Sequence, residues 1–584
     1  MIRALLLSLI LLAGICGIAA ALEEDSLGEF FTTHIAEDLR DPDINGAVIT
    51  IVDDGEIVAL LGYGTADADG SYLLDPEDTI LPIGSVTKLF TWEAALSLAE
   101  QGLLDFDSDL NSFLPEPVIP DTYTEPITLT HLMTHTSGLD EVAVGIFTQN
   151  PEEILPAFET YTKTQPERIR EPGRIASYSN IGALLTGAVI EEVSGTSYKE
   201  YIEQEILTPL GMASTAAREP LPDHLASRSP EMILTEGIPA YSRYSPAGGM
   251  HTTAHDMGLY MIHVLEAGED AYPRIFSHDN RLSGIVQGGY FERYHGKKRI
   301  LWHTGDVPGT STLLALIPEE NLGIYICYTG TGGSAERFIL LHTFLDTYLQ
   351  TEREEQFTYQ TESTKDYAGT YISSRAPLAG FEKILLVIGR DQLSIWVRLE
   401  GEMIVINDAE YAEVEPGFCI GLNNPDRLVF SEREGEDWLF LDSLPSIGWK
   451  RAGWRENPQI QYAFLLFFAG VFLSGAVIGG KRAFETTNSF QKKGYLLITL
   501  VSGTAILFML LFFGTIRIFG ILFGLPHWFI VIRCIPALTA ILAAYLILHT
   551  IQNKQKRKIE EVFIGAIAIL FLLWLNSWNL LLPV

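Results

Sequence analysis

The sequence predicts an α+β protein: an antiparallel sheet with flanking helices and a helical subdomain, then a small all-β, barrel-like domain and a four-helix transmembrane region. Three observations lead there. Between about residues 26 and 350, strand-like runs give way to helices and then to strands again, without regular β-α alternation. From Asp366 the pattern changes to short strands punctuated by Gly, Asn and Pro. From Gln459 onward the chain carries four apolar stretches of about 20 residues or more, the length that crosses a bilayer. The expected divisions are a signal peptide at 1–21, a main domain at 22–350, a polar linker at 351–364, a small β domain at 365–455 and a membrane region at 459–584.

The start is a charged residue (Arg3), an apolar run and then Ala19-Ala20-Ala21, the pattern of a secretory leader; a retained anchor is the rival reading. A helix is expected over Ser26–Asp41. The runs Gly46–Val52 and Ile57–Leu61 flank Asp53-Asp54-Gly55, a hairpin signal. Residues 82–210 read as mainly helical, and Ser311–Leu316 and Gly323–Tyr328 as strands. In the small β domain, Leu393, Ile395, Val397 and Leu399 alternate with outward residues.

The four membrane stretches are expected at about Ile460–Gly480, Gly494–Ile516, Pro526–Thr550 and Val562–Leu582. Lys481, Arg482, Lys492 and Lys493 follow the first, and Lys554, Lys556, Arg557 and Lys558 follow the third. The positive-inside rule puts both loops in the cytoplasm and the large body before the first span outside. From Gln459 there are about 10 Lys and Arg against about 3 Asp and Glu, so the preceding body carries a net charge of about −42 within a total of −35. Such a body repels phosphate backbones, and nucleic acid is excluded as a partner. Of four cysteines, only Cys327 and Cys419 could pair outside the membrane; they are expected to be small buried apolar residues instead.

The chemistry centres on Gly84-Ser85-Val86-Thr87-Lys88-Leu89-Phe90, which opens a predicted helix running to about Gln101. Ser85 and Lys88, three residues apart, share one helix face. A serine in the first turn also places its own N–H among the unpaired donors of a helix start, where a developing oxyanion is favoured. One turn thus offers a nucleophile, an amine to take its proton and half of an oxyanion hole. The bare pattern is weak, because Ser489-Phe490-Gln491-Lys492 matches it too, in a loop beside the membrane.

Two further stretches add weight. Tyr178 and Asn180 stand two apart just before a helical run from Ile181 to Val193; a phenol there can work as general base and then acid, its ionised form favoured by a lysine ammonium. Trp302-His303-Thr304-Gly305-Asp306 precedes a strand. There His303 and Thr304 could hold a substrate carboxylate or carbonyl, Gly305 would allow close backbone approach, and the Asp306 N–H could complete the oxyanion hole. A metal reading competes: His131 with His135, and His251 with His255, stand four apart. Neither pair carries the glutamate of a His-Glu-x-x-His site, and a structural role is expected for them.

Ser85-x-x-Lys88, Tyr178-x-Asn180 and His303-Thr304-Gly305, in that order, resemble the class C β-lactamase-like and penicillin-binding-protein-like serine hydrolases. Leu129–Leu139, Pro209–Met212 and Pro246–Met257 resemble that family too, and Asp366–Tyr371 looks like the start of its appended lipocalin-like domain. The resemblance implies the serine β-lactamase/DD-peptidase fold. It implies that Ser85 is acylated, that Lys88 and Tyr178 manage protons, that Asn180 orients substrate and Lys88, that His303, Thr304 and Gly305 line the site, and that the N–H groups of Ser85 and Asp306 hold the oxyanion. His303 replaces the lysine of the lactamases, so a fixed positive charge is exchanged for a titratable ring.

The expected function is a membrane-anchored extracytoplasmic hydrolase that needs no metal or organic cofactor. It would act on an amide or ester, foremost a D-amino-acid-containing peptide. The alternative is a penicillin-binding sensor or weak β-lactamase with little turnover. Partners are a small peptide or ester substrate and the lipid bilayer; the oligomeric state is left open.

Overall fold

The computed structural model describes residues 24–67, 70–230, 240–349, 366–552 and 559–581. The expected signal peptide and linker lie outside these residues. Helix α1 (Glu24–Asp38) leads into the hairpin β1 (Ile44–Asp53) and β2 (Glu56–Gly64). Asp54 and Gly55 turn it, both at positive φ (48° and 81°), as a two-residue hairpin turn requires. The other strands of the main sheet are β3 (Arg274–Phe276), β4 (Ile285–Val286), β5 (Phe291–His295), β6 (Lys298–Val307), β7 (Thr310–Ile317) and β8 (Leu322–Gly330). They form one eight-stranded sheet in the order β2-β1-β8-β7-β6-β5-β4-β3, with antiparallel pairing throughout.

Strand periodicity explains why both faces are covered. Along β1, Ala47, Ile49 and Ile51 join Leu27, Phe31 and Ile35 of α1 and Leu341, Phe344 and Leu345 of α5 (Gly333–Tyr348) in one cluster. Val48 and Val52 point the other way, into a cluster with α2 (Thr87–Glu100), α3 (Asn180–Ser194) and α4 (Ala254–Glu266). Phe31 and Phe344 stack at 5.8 Å, and each such buried side chain contributes about 1.5–3 kcal/mol.

Strands β9 (Gly369–Ser373), β10 (Ser394–Glu400), β11 (Met403–Ile406), β12 (Ala409–Glu415), β13 (Phe418–Gly421), β14 (Arg427–Arg433), β15 (Glu436–Leu441) and β16 (Gly448–Arg451) close into a barrel around Ile395, Val397, Leu428, Leu439 and Trp449. Cys327 and Cys419 are both free and buried.

Four helices follow that are long and apolar enough to cross a membrane: α6 (Pro458–Glu485), α7 (Ser489–Phe519), α8 (Phe529–Gln552) and α9 (Ile559–Ser577). At 31 residues, α7 is about 46 Å long, well beyond a hydrocarbon core of about 30 Å, so its ends project. The last helix stops at Ser577, short of the expected Leu582, and Asn579 just beyond it takes a left-handed φ of 56°.

The units are fastened to each other beside the helical subdomain. Ser177 pairs with Ile447 of the barrel, the Tyr178 N–H donates to Ser446 O (2.9 Å), and the Ser177 and Ser374 hydroxyls donate across the joint to Ser374 O and Ala176 O. Asp140 accepts from the N–H groups of Leu378 and Ala379. The loop between α7 and α8 bonds the first domain too: Gly145 N–H donates to Ile521 O (2.8 Å) and Phe147 N–H to Leu522 O (2.9 Å).

Candidate active site

Ser85 lies in a short 3-10 turn, Gly84–Val86, that runs directly into α2. Gly84 has φ 52°, and a Cβ there would come within 3.0 Å of the Asp306 nitrogen. Gly305 is tighter still, since its Cβ would fall 1.9 Å from Ile83 O and 2.9 Å from Ser85 N. Only glycine lets β6 pass so close to the turn. The Gly305 carbonyl accepts from Arg337 Nη1 (3.1 Å) and from Thr312 Oγ1 (3.1 Å). In a trans peptide the following N–H points the opposite way, so the Asp306 N–H is directed toward Gly84 and Ser85. Arg337 also pairs with the Asp306 carboxylate at 2.7 Å, which neutralises the acid beside this spot.

Lys88 is fully buried at 0% exposure. Its Nζ is 3.0 Å from Ser85 Oγ, 2.8 Å from Asn180 Oδ1 and 2.8 Å from Ala247 O. Burial, and after it the nearby Arg375 charge, hold this amine well below its ordinary pKa; Glu141 works against them. A neutral amine has two N–H donors and one lone pair. In that neutral form, with Asn180 Oδ1 and Ala247 O accepting the two hydrogens, the lone pair would face the serine. Glu141, not foreseen from the sequence, fixes this polarity: its Oε1 accepts from Asn180 Nδ2 (3.1 Å), turning the amide oxygen to Lys88.

Tyr178 departs from expectation. Burial pushes its phenol well up, while Ser85 and Arg375 offset part of that push. Its hydroxyl faces Ser85 without a well-formed hydrogen bond. Burial thus favours the protonated phenol rather than the phenolate expected beside a lysine ammonium. His135 steadies this stretch: its ring lies 4.5 Å from that of Tyr178, its Nδ1 accepts from the Ser179 N–H and its carbonyl from the Ser177 N–H. His131 bonds to Thr128. Among the described residues no group of three or more His, Cys, Asp or Glu could hold a metal.

His303 also differs from expectation. Its ring is 1% exposed, stacks on Phe291 at 4.9 Å and lies 6.2 Å from Tyr178, with Nδ1 2.8 Å from Thr304 O. Burial and then Lys88 push it down to about 3, so it is neutral at ordinary pH. Strand alternation turns Thr304 and the tip residue Asp306 toward the groove while His303 packs behind it.

The groove has a volume of about 450 Å³. Ser85, Tyr178, Asn180, Thr304 and Asp306 line it; Lys88, His303 and Gly305 stand behind its surface. Two other units contribute walls. The barrel supplies Leu444–Ile447 and Arg375, whose guanidinium carbon lies 5.0 Å from the centre of the Tyr178 ring; the loop between α7 and α8 supplies Leu522. Among the described residues the Arg375 side chain has no ion-pair partner within 4.0 Å. No local pattern marks Arg375, Glu141, Arg337 or Leu522, whose relevance arises only from contacts distant in sequence.

This is the constellation of a serine hydrolase: an alcohol and a buried amine in contact, a phenol beside them, and a glycine-lined approach of β6 to the serine turn. The β-lactamase family model matches residues 31–343, and the chain belongs to that family. A D-alanyl-D-alanine-carboxypeptidase/endopeptidase of Escherichia coli, AmpH, is 28% identical over 307 residues, covering 48% of this chain and 78% of that protein. Protein flp of Staphylococcus aureus is 27% identical over 311 residues, 50% of this chain and 61% of its own length. The solved structure of SurE shares the fold at a TM-score of 0.51 and 20% identity, covering 74% of this chain and 100% of that one.

Proposed function

We propose that this protein is a membrane-anchored hydrolase with its groove outside the cytoplasm, which cleaves amides or esters of D-amino-acid-containing peptides through an acyl-enzyme on Ser85. The single observation that carries this reading is the buried Lys88 amine, its pKa depressed, 3.0 Å from Ser85 Oγ and with two carbonyl oxygens engaging its N–H groups. In this reading Lys88 takes the serine proton as Ser85 Oγ bonds to the substrate carbonyl carbon. The N–H groups of Ser85 and Asp306 receive the oxyanion. Tyr178, still protonated, gives its proton to the leaving amine or alkoxide and recovers one from Lys88; water then releases the acyl group by the reverse proton route. Asn180 and Thr304 orient the substrate.

Arg375 takes the part of the anion-binding charge that a neutral His303 does not supply. That favours substrates with a free carboxylate near the scissile bond, as in the C-terminal D-residue of a peptide. The carboxypeptidase relative AmpH supports this class. The cations Lys481 and Arg482 at the end of α6, Lys492 and Lys493 at the start of α7, and Lys554, Lys556, Arg557 and Lys558 in the sequence between α8 and α9 support the sidedness.

The test is hydrolysis of D-Ala-D-Ala peptides, D-aminoacyl amides, short esters and a chromogenic cephalosporin, together with a fluorophosphonate label, in wild type and Ser85→Ala. Ser85-dependent turnover, fastest on the carboxylate-bearing peptides, is expected. A Ser85-linked penicillin adduct that never turns over would favour the sensor reading instead. No Ser85-dependent label would overturn both.

A further inference from the structure

A second cavity, of about 1050 Å³, lies where the catalytic unit, the barrel and the membrane helices meet. Its upper wall holds five cations (Arg170, Lys383, Arg433, Lys450, Arg455) against three carboxylates (Glu434, Glu436, Glu456). That balance is unexpected in so acidic a body. Lys450 is matched, at 3.0 Å from Glu456 and 3.9 Å from Glu436. Among the described residues the other four cations have no carboxylate within 4.0 Å. Arg455 lies only against the Trp454 ring (5.2 Å), and Lys383 donates to Ser577 O and lies 5.6 Å from the Trp578 ring. Two donors at the wall, Arg170 Nη1 and Trp578 Nε1, are buried without a hydrogen-bond partner.

The lower wall has a different character. Phe464 of α6 and Leu570 and Leu573 of α9 line it and are 37%, 53% and 62% exposed, on helices built to face hydrocarbon. Trp454, 62% exposed, stands with Trp574 and Trp578 at the boundary, where indole rings settle between water and lipid. The cavity therefore grades, over one molecule's length, from unmatched cations through indoles to alkyl surface.

We propose that this cavity binds one anionic glycerophospholipid, its phosphate among Arg170, Lys383 and Arg455 and an acyl chain along Phe464, Leu570 and Leu573. A zwitterionic lipid would bring a second cation to a wall already in excess of positive charge. A free phosphate would leave the lower wall empty. The lipid joins three units at the place where each contributes a wall.

The experiment uses the full-length protein, purified in detergent and stripped of lipid, with native mass spectrometry and thermal unfolding as readouts. The probes are dioleoyl-phosphatidylglycerol, dioleoyl-phosphatidylcholine and inorganic phosphate. Phosphatidylglycerol should be retained one per chain at least tenfold better than phosphatidylcholine and raise the melting temperature, while phosphate alone does neither. Lys383→Glu with Arg455→Glu should cut retention at least tenfold, and Lys492→Glu, at the far end of the helices, should not. Leu573→Trp, which blocks the chain path, should cut retention with the cations intact. Equal retention of the two lipids, or no effect of the double variant, overturns the proposal. Phosphate matching phosphatidylglycerol in stabilisation overturns its lipid part, as does an unaffected Leu573→Trp. If the double variant does not fold, Arg455→Gln, which removes only a contact to Trp454, carries the same comparison.

Discussion

The chain contains the same four-residue pattern twice, and the two copies share nothing beyond spacing. Ser85 and Lys88 sit beside β6, the amine fully buried and bonded to the serine, an amide oxygen and a backbone carbonyl. Ser489 and Lys492 open α7 with both side chains in solvent. Spacing puts a hydroxyl and an amine on one helix face in each case. Only the first copy is desolvated and flanked by acceptors, and those two conditions turn a lysine from an ammonium into a base.

The largest effects should separate the copies outright. Ser85→Ala is expected to lower hydrolysis by at least about 10⁴-fold, while Ser489→Ala leaves kcat and KM unchanged; steady-state kinetics on one peptide substrate checks both. Lys88→Arg installs a permanent cation that cannot act as a base, and should lose about 10²–10⁴-fold in kcat. Lys492→Arg should lose nothing.

Arg375 sharpens the contrast, because the second copy has no equivalent. Arg375→Gln is expected to raise KM about tenfold for substrates with a free carboxylate, with little change for a neutral ester. It should also move the pH profile. Arg375 helps to depress Lys88, so its loss raises the amine pKa, and the acidic limb of kcat/KM shifts to higher pH. A merely structural role would not move that limb.

The smallest effect concerns the joint that brings Arg375 to the groove. Burial pushes Asp140 from 3.8 up to about 6, only partly offset by the Ala379 and Leu378 N–H groups. The folded chain therefore holds this proton more tightly than the unfolded one. Its contribution to stability is full below about pH 4 and is lost as pH rises through about 6. Asp140→Asn, which can still accept one of those bonds, should flatten the fall in Tm between pH 4 and pH 7.

What could be read from the sequence follows from range of interaction. Ser85 with Lys88, and Tyr178 with Asn180, lie close along the chain, and local periodicity predicts their shared faces. Half of the sheet was legible for the same reason: local runs marked β1, β2, β7 and β8, whereas β3 to β6 were not read as strands and Trp302–Asp306, expected to precede a strand, lies within β6. Glu141, Arg337 and Arg375 were not legible. Each acts on a residue at least 31 positions away, Arg337 on Asp306 being the nearest pair, and no spacing rule reaches that far. The protonation of Tyr178 was misjudged because the sequence gives the neighbour, a lysine, but not the burial that shifts both groups. His303 was expected on the groove surface and stands behind it, since the sequence does not say which strand face is covered by Phe291.

The helical bundle is joined to the rest of the chain at two places. Gly145 and Phe147 are clasped by Ile521 and Leu522, while the chain also enters the first membrane helix directly from the barrel. Two such moorings remove the swivel that one flexible stalk would leave. The groove is thus fixed relative to the helical bundle at two points, a mount more than a leash.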